Sequence, residues 1–312
     1  MRSKSSYESK NLTKDKKKRR ITLERKNTLI AYTFILPNFL GFLIFTFIPV
    51  IVSILLSFME WDTASPMRFV GLKNFIMLLK DETFKISFFN TIYYTIATVP
   101  LTMVCSLALA VLLNEGIKFK KFFRGAVFFP YITSLVAVAA VWNMLFLPTM
   151  GPINEFLKAI GISNPPGWLS STKWAMPAII ITSVWRNMGY YMVLFLAGLQ
   201  GIPKELYEAA TVDGATSWQK FKNITWPMLT PTTFFVTIML TISSFKVFDL
   251  VWIMTQGGPG RSTNVLVYDI YQEAFLNLKF GYSSAIAMVL FALVLIITII
   301  QFKGEEKWVN YM

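Results

Sequence analysis

Three charged side chains lie inside long apolar stretches of the sequence, where a charge is unfavourable. They are Arg186, Lys246 and Asp249. A charge at the centre of a bilayer costs roughly 2.5–3.5 kcal/mol, so such a side chain is expected to face a cavity or a partner. One interpretation is a polar pocket for a hydroxylated ligand. The other is a structural Lys246–Asp249 pair at i,i+3 spacing on a helix, which we favour for Asp249.

The surroundings of Arg186 strengthen the pocket interpretation. Asn187, Tyr190 and Tyr191 follow it within two helical turns and offer both polar groups and aromatic faces. Ser243 and Ser244 are candidates for the opposite side of the same pocket, although serine in a membrane helix more often serves packing.

Other kinds of chemistry find little support. The chain has no histidine and a single cysteine, Cys105, so neither a zinc site nor an intramolecular disulfide is expected. It also has no Gly-Lys dipeptide, so a phosphate-binding loop of the Walker A kind is absent from the sequence. We therefore expect no catalytic residues, no metal site and no cofactor in this chain.

The apolar stretches predict the elements that hold these residues. Hydrophobic residues make up 54% of the chain and the mean hydropathy is +0.52, which is typical of a membrane protein. Their runs are long enough to cross a bilayer as helices and do not alternate as barrel strands do. The predicted fold is an all-α polytopic membrane protein with about six transmembrane helices. The predicted spans are Leu29–Met59, Phe88–Leu113, Phe123–Phe146, Trp174–Leu199, Leu229–Met254 and Tyr282–Gln301.

The distribution of charge predicts the orientation. If the N-terminus is cytoplasmic, the cytoplasmic segments hold 20 Lys and Arg against 9 Asp and Glu, whereas the outer loops hold 8 against 7. Positive residues favour the cytoplasmic side, so both termini are expected there. The chain then divides into a basic tail, residues 1–28, and a transmembrane domain, residues 29–312. The tail is interpreted as a topology signal and a contact for anionic lipid, not as a nucleic-acid site.

The cytoplasmic segment 202–228 has the local signals of a helix, a turn and a second helix. Pro203 suits a first helical position, and Asp213-Gly214 forms a turn. Thr216 with Gln219 fits a capping box, and Pro227 is expected to end the second helix. Apolar side chains are predicted on one face of each helix. The residues alone leave two uses open, which are resting on lipid and docking another protein.

The same segment resembles the "EAA" loop of binding-protein-dependent ABC importer permeases. The resemblance rests on the following residues of this sequence: Glu208, Ala209, Ala210, Asp213, Gly214, Ala215, Phe221, Ile224, Pro227 and Pro231.

Two further segments are similar to the carbohydrate branch of that family. One runs from Phe69 to Phe75 and is followed by Phe89-Asn90-Thr91. The other runs from Phe248-Asp249-Leu250 through Gly257-Gly258-Pro259 to Ala285. The similarity extends from the first span to the last.

The resemblance implies a type I importer permease fold in a bacterial cytoplasmic membrane. It implies that residues Glu208 to Pro227 form the coupling helix, which docks on a cytoplasmic ATPase dimer that binds ATP and Mg. It also implies a second, homologous permease subunit, an external solute-binding protein and a carbohydrate substrate. The region Arg186–Tyr191 matches the part of the maltose importer's permease that meets sugar. A glycerol-phosphate-type substrate and an ion-coupled secondary transporter are the alternatives.

Overall fold

The structure is a computed structural model that describes residues 23, 25–114, 118–306 and 309. Most of the basic tail expected at residues 1–28 lies outside the described residues. In chain order the elements are α1 (Arg25–Ser57), β1 (Met59–Glu60), β2 (Arg68–Phe69), α2 (Lys73–Lys80), α3 (Glu82–Asn114), α4 (Lys120–Ile132), α5 (Leu135–Leu145), α6 (Pro152–Ala159), α7 (Ala175–Gln200), α8 (Lys204–Val212), α9 (Ser217–Met228), α10 (Thr230–Phe245), α11 (Asp249–Met254), α12 (Leu266–Tyr271) and α13 (Phe280–Glu305).

Four of these helices, α1, α3, α7 and α13, are long and apolar enough to cross a membrane individually. Two pairs reach that length only together and are bent, α4 with α5 by 97° and α9 with α10 by 64°. The prediction of about six spans holds when each bent pair counts as one span. In the second pair, α10 lies within the predicted fifth span and α9 lies within the segment predicted to be cytoplasmic. The predicted third span, Phe123–Phe146, is interrupted because Thr133 and Ser134 adopt extended ψ angles of 148° and 127°.

The predicted fifth span also differs from the structure. Helix α10 ends at Phe245, and the chain leaves helical geometry before α11 begins at Asp249. Phe248, between the two helices, has a φ of −138° and a ψ of −59°. The continuous helix expected over Leu229–Met254 is therefore wrong in its last third.

The chain divides into two compact units, Met1–Leu55 and Leu56–Met312. The first contains α1 as far as Leu55, including a π-helical turn at Leu43–Phe47. The second contains every element from β1 onward, including a two-stranded antiparallel hairpin in which Met59 pairs with Phe69. Everything described below belongs to the second unit.

Helices α3 and α7 form the centre of the second unit. The face of α3 that is buried carries hydroxyl side chains at helical spacing: Thr91, Thr95, Thr98, Thr102 and Ser106. Hydrogen bonds join the two helices, from the Tyr94 hydroxyl to Ser183 Oγ at 2.7 Å and from Ser106 Oγ to the Met188 carbonyl at 3.0 Å. Small polar side chains let two membrane helices approach closely. The hydroxyls of Thr95, Thr98 and Thr102 are buried in this contact without a hydrogen-bond partner among the described residues.

Two asparagines hold the loops at the end of the unit where α3 and α13 begin; Asn74 is buried and Asn90 is half-buried. Asn74 Nδ2 donates to the Ser57 and Met59 carbonyls at 2.9 and 2.8 Å. Asn90 Nδ2 donates to the Arg261 and Asn264 carbonyls at 3.0 and 2.9 Å. Both asparagines belong to the segments that resemble the carbohydrate branch. Their positions show that this part of the resemblance reflects loop anchoring.

Candidate functional site

Arg186 lies at the centre of a polar and aromatic group on α7. Its guanidinium contacts the Tyr131 carbonyl at 3.4 Å and lies 5.3 Å from the centroid of the Tyr131 ring. It also contacts Asn187 Oδ1 at 3.4 Å, while its Nε is buried without a hydrogen-bond partner. The cation is therefore stabilised mainly by an aromatic face and long hydrogen bonds. Part of its donor capacity is free for a further acceptor.

The tyrosines predicted for the pocket extend this group. Tyr190 stacks on Tyr131 with ring centroids 4.5 Å apart, and Tyr191 is buried and lies beside Ser243 of α10. Asn187 Nδ2 donates to Ser183 Oγ at 3.2 Å. The structure thus brings Arg186, Asn187, Tyr190 and Tyr131 together, and places Tyr191 against the helix that carries the two serines.

The other predicted pocket residues are placed differently. Ser244 is buried, whereas Ser243, Lys246 and Asp249 are exposed in the chain described here. Among the described residues, Lys246 and Asp249 form no ion pair. The predicted i,i+3 pair is wrong, because Lys246 follows the end of α10 and Asp249 begins α11, so the two do not share a helix.

Sequence reasoning missed three residues of this group. They are Tyr131, which contacts Arg186; Ser183, which accepts from Asn187; and Tyr94, which donates to Ser183. Tyr131 lies in a different predicted span, 55 residues before Arg186, and no local pattern joins the two. The only signal for Tyr131 in the sequence is that it is an aromatic residue next to Pro130.

The segment 202–228 folds as predicted into a helix, a turn and a second helix. Gly214 follows α8 with a φ of +74°, a region that favours glycine. The Gly214 N–H donates to the Thr211 carbonyl at 3.1 Å, and the Ala215 N–H donates to the Ala210 carbonyl at 2.9 Å. These two bonds form a Schellman motif, which terminates the helix and fixes the turn.

The start of α9 carries the predicted capping box. Thr216 Oγ1 accepts from the Gln219 N–H at 3.3 Å, and Gln219 Oε1 accepts from the Thr216 N–H at 2.7 Å. Lys220 Nζ then reaches back to Thr211 Oγ1 of α8 at 2.8 Å. Bonds at the turn and across it make the two helices one rigid element, which we call the knob (residues 204–228).

The knob is anchored to the helical unit at its base. Tyr207 and Ile224 pack on the core formed by α3, α7 and α10, and within the knob the Tyr207 and Thr225 hydroxyls lie 2.9 Å apart. A cleft of about 300 Å³ beside Tyr207 and Phe221 separates part of the knob from the ends of α3 and α7.

The knob's exposed surface contains apolar and acidic side chains. Glu208 and Ala209 are exposed, Val212 is 88% exposed and Trp218 is 70% exposed. Trp218 stacks on Phe221 with centroids 5.6 Å apart. The single apolar face expected for α9 is therefore divided, because Trp218 points outward while Ile224 points into the core.

The remaining residues of the EAA-like pattern occupy both sides of the knob. Asp213 is exposed at the turn, whereas Ala210, Ala215 and Pro227 are half-buried. Pro227 does not end α9 as expected, because the helix continues to Met228 and the bend follows at Leu229.

Helices of bilayer-spanning length, a polar group among them and a rigid knob at one end define a polytopic transport subunit. The comparisons agree. Residues 99–303 match the family described as binding-protein-dependent transport system inner membrane component. The chain belongs to this family, which makes it the membrane-spanning permease of an ABC importer and not an enzyme.

Curated relatives cover almost the whole chain. It is 40% identical to the probable ABC transporter permease YesP of Bacillus subtilis, over 92% of this chain and 94% of the relative. It is 34% identical to the probable starch degradation products permease AmyD of Thermoanaerobacterium thermosulfurigenes, over 90% and 96%. It is 33% identical to the sn-glycerol-3-phosphate permease UgpA of Agrobacterium fabrum, over 91% and 97%.

A solved structure confirms the fold. A chain of a bacterial ABC transporter for import of the acidic polysaccharide alginate superposes with a TM-score of 0.82 at 24% identity. The match covers 93% of this chain and 100% of that chain. The predicted importer permease fold is therefore confirmed.

Proposed function

We propose that this permease moves a sugar or an oligosaccharide into the cytoplasm by alternating access. The observation that carries the proposal is the group of Arg186, Asn187, Tyr190 and Tyr131, which sets polar donors beside aromatic faces within the helical unit. Sugars present flat apolar faces and many hydroxyls, so a site of this composition matches them. The relative that carries starch degradation products supports the same substrate class.

The polar group is incomplete in one chain. Arg186 keeps an unpartnered Nε, and Ser243, Lys246 and Asp249 are exposed. Exposed charges near the middle of a membrane protein need a polar neighbour. A second, homologous permease facing these residues would enclose the substrate pathway. The buried residues Ser244 and Tyr191 of this chain would then form part of the wall of that pathway.

The knob is proposed as the docking element for a cytoplasmic ATPase dimer. Its exposed apolar side chains, Val212 and Trp218, suit insertion into a groove, and Glu208 offers a polar anchor beside them. Its rigid turn and its packing on α3, α7 and α10 allow closure of the ATPases to reach the substrate group. ATP and Mg would be held by that partner, with no cofactor in this chain.

We also propose a membrane, an orientation and further partners for the permease. The permease would lie in the cytoplasmic membrane of a bacterium with both termini inside and contact lipid along its apolar helices. It would receive its substrate from an external solute-binding protein, without any nucleic-acid partner. Identifying the oligosaccharide that copurifies with that binding protein tests the substrate class directly.

Replacing Arg186 by glutamine is expected to lower sugar uptake by about tenfold or more, because a hydrogen bond to a charged group contributes roughly 1.5–3 kcal/mol. The measurement is uptake of labelled oligosaccharide by vesicles that contain the complete transporter. Arg68→Gln, an exposed arginine in the β1–β2 hairpin, is the matched control and should transport normally. Equal uptake by the Arg186 and Arg68 variants would remove Arg186 from the pathway.

A glycerol-phosphate-type substrate is the second candidate, favoured by the UgpA relative and by the positive charge of Arg186. A phosphate oxyanion pairs with guanidinium more strongly than a sugar hydroxyl does. A competition experiment that measures uptake of labelled substrate by the wild-type transporter separates the two candidates. An excess of unlabelled oligosaccharide should block this uptake, whereas an excess of glycerol phosphate should not. The reverse result would assign the phosphorylated substrate.

A further inference from the structure

A buried carboxylate lies at the end of the protein opposite the knob, outside every membrane span. Asp269 of α12 is 2% exposed, and its Oδ2 has no hydrogen-bond partner. It lines a cleft of about 340 Å³ that is otherwise formed by the 255–279 segment and the start of α3. An ionised carboxylate that is buried and only partly hydrogen-bonded is strongly disfavoured.

The charges around Asp269 do not compensate for this burial. The charged groups that act on Asp269 are Glu273 after α12, Asp81 before α3 and Arg261 in the preceding loop, and the phenols of Tyr268 and Tyr282 lie nearby. Lys279 is engaged by Glu273 at 3.2 Å, and the Tyr282 hydroxyl donates to Asp81 Oδ2 at 2.6 Å. Two acidic neighbours therefore face Asp269, against one uncommitted cation.

Asp269 also lies where the 255–279 segment joins the helical unit. Asn264, 2% exposed, donates from Nδ2 to Ser87 Oγ of α3 at 2.8 Å, and the Leu266 N–H donates to Thr91 Oγ1 at 2.9 Å. Leu266 and Ile286 of α13 are fully buried in the same core. A displacement of α12 away from α3 would therefore stretch these two hydrogen bonds.

We propose that Asp269 is the neutral acid in the packed state and that its ionisation loosens the 255–279 segment from α3. The segment is then a pH-sensitive element at the end of the permease that faces away from the knob. The chemistry is a reversible proton transfer to water in the cleft, with no other reactant. Its consequence is a packed state that binds one proton more than the loosened state.

Burial and the neighbouring Glu273 and Asp81 carboxylates raise the pKa of Asp269 to about 7. In the loosened, solvated segment the pKa returns to its ordinary value of about 3.9. Between these two values the packed state keeps its proton while the loosened state has lost it. The equilibrium constant for loosening the segment therefore increases about tenfold for each pH unit between the two pKa values and levels off above the higher one.

Hydrogen exchange of the complete transporter tests this proposal. After correction for the intrinsic exchange rate, protection of peptides within 255–279 is expected to fall as pH rises and to level off near neutrality. Asp269→Asn, which mimics the neutral acid, should remove this dependence. Asp62→Asn, an exposed carboxylate at the same end, is the control and should keep it.

A second variant keeps the test decisive if Asp269→Asn fails to fold. Glu273→Gln removes a negative neighbour, so the plateau should begin at a lower pH than in the wild type. A wild-type profile that is flat would overturn the proposal. So would an unchanged profile in Asp269→Asn, or a plateau that Glu273→Gln does not move.

Discussion

Replacing Gly214 by proline is expected to abolish substrate-stimulated ATP hydrolysis and uptake while leaving the protein in the membrane. Proline fixes φ near −65°, whereas Gly214 has a φ of +74° and its N–H closes the turn onto Thr211. The substitution therefore destroys the Schellman motif and the angle between α8 and α9. Glu208→Lys, which reverses the charge at the exposed face, should have the same effect without altering the turn.

The matched control is Gly161→Pro. Gly161 also has a positive φ, +94°, and open space around its Cα, but it lies in the loop between α6 and α7, away from the knob. This variant should retain coupled ATP hydrolysis. The measurement is ATPase activity and uptake in the reconstituted complex, with and without loaded binding protein. Wild-type rates in both Gly214→Pro and Glu208→Lys would show that the knob does not transmit closure.

Replacing Gly189 by alanine is expected to disrupt the packing of α4 on α7 and, with it, the Arg186 group. A Cβ at Gly189 would lie 2.1 Å from the Val127 carbonyl oxygen, which is backbone and cannot rotate away. Overpacking of this kind costs about 1–3 kcal/mol and displaces the helices. Tyr131 lies one turn further along α4, so its stacking on Tyr190 and its contact with Arg186 should be lost.

Thermal unfolding and sugar uptake of the purified complex measure both consequences. Gly125→Ala, on α4 itself but with open space around its Cα, should behave like the wild type. A Gly189→Ala transporter with normal melting temperature and normal uptake would contradict the close approach of α4 and α7.

The sequence predicts well those features that depend on neighbouring residues. The long apolar runs predict the helices, and the local signals around Asp213-Gly214 and Thr216 predict the turn and the capping box. These features are local because each bond joins residues three to five positions apart. The same reasoning misplaces the end of α9 by one residue, because the helix includes Pro227, ends at Met228 and bends at Leu229.

Features that depend on distant contacts could not be predicted. The contact between Arg186 and Tyr131 joins two helices, and the bends near Ser134 and Phe248 occur inside stretches whose overall hydrophobicity predicts an unbroken span. Hydrophobicity specifies that a segment is buried in lipid, but not where its backbone changes direction. The Lys246–Asp249 pair was predicted wrongly for this reason, since i,i+3 spacing implies proximity only when the helix is unbroken.

The role that we propose for this chain is that of the sugar-conducting, ATP-coupled permease of an importer. Its most direct test is uptake of labelled oligosaccharide by proteoliposomes that contain both permeases, the ATPase dimer and loaded binding protein. We predict that uptake requires ATP on the side of the membrane that carries the ATPase dimer. Uptake should be unaffected by proton or sodium gradients and should be lost in Gly214→Pro. Uptake by this chain alone down an ion gradient, without ATP, would contradict the claim and assign the protein to the secondary transporters.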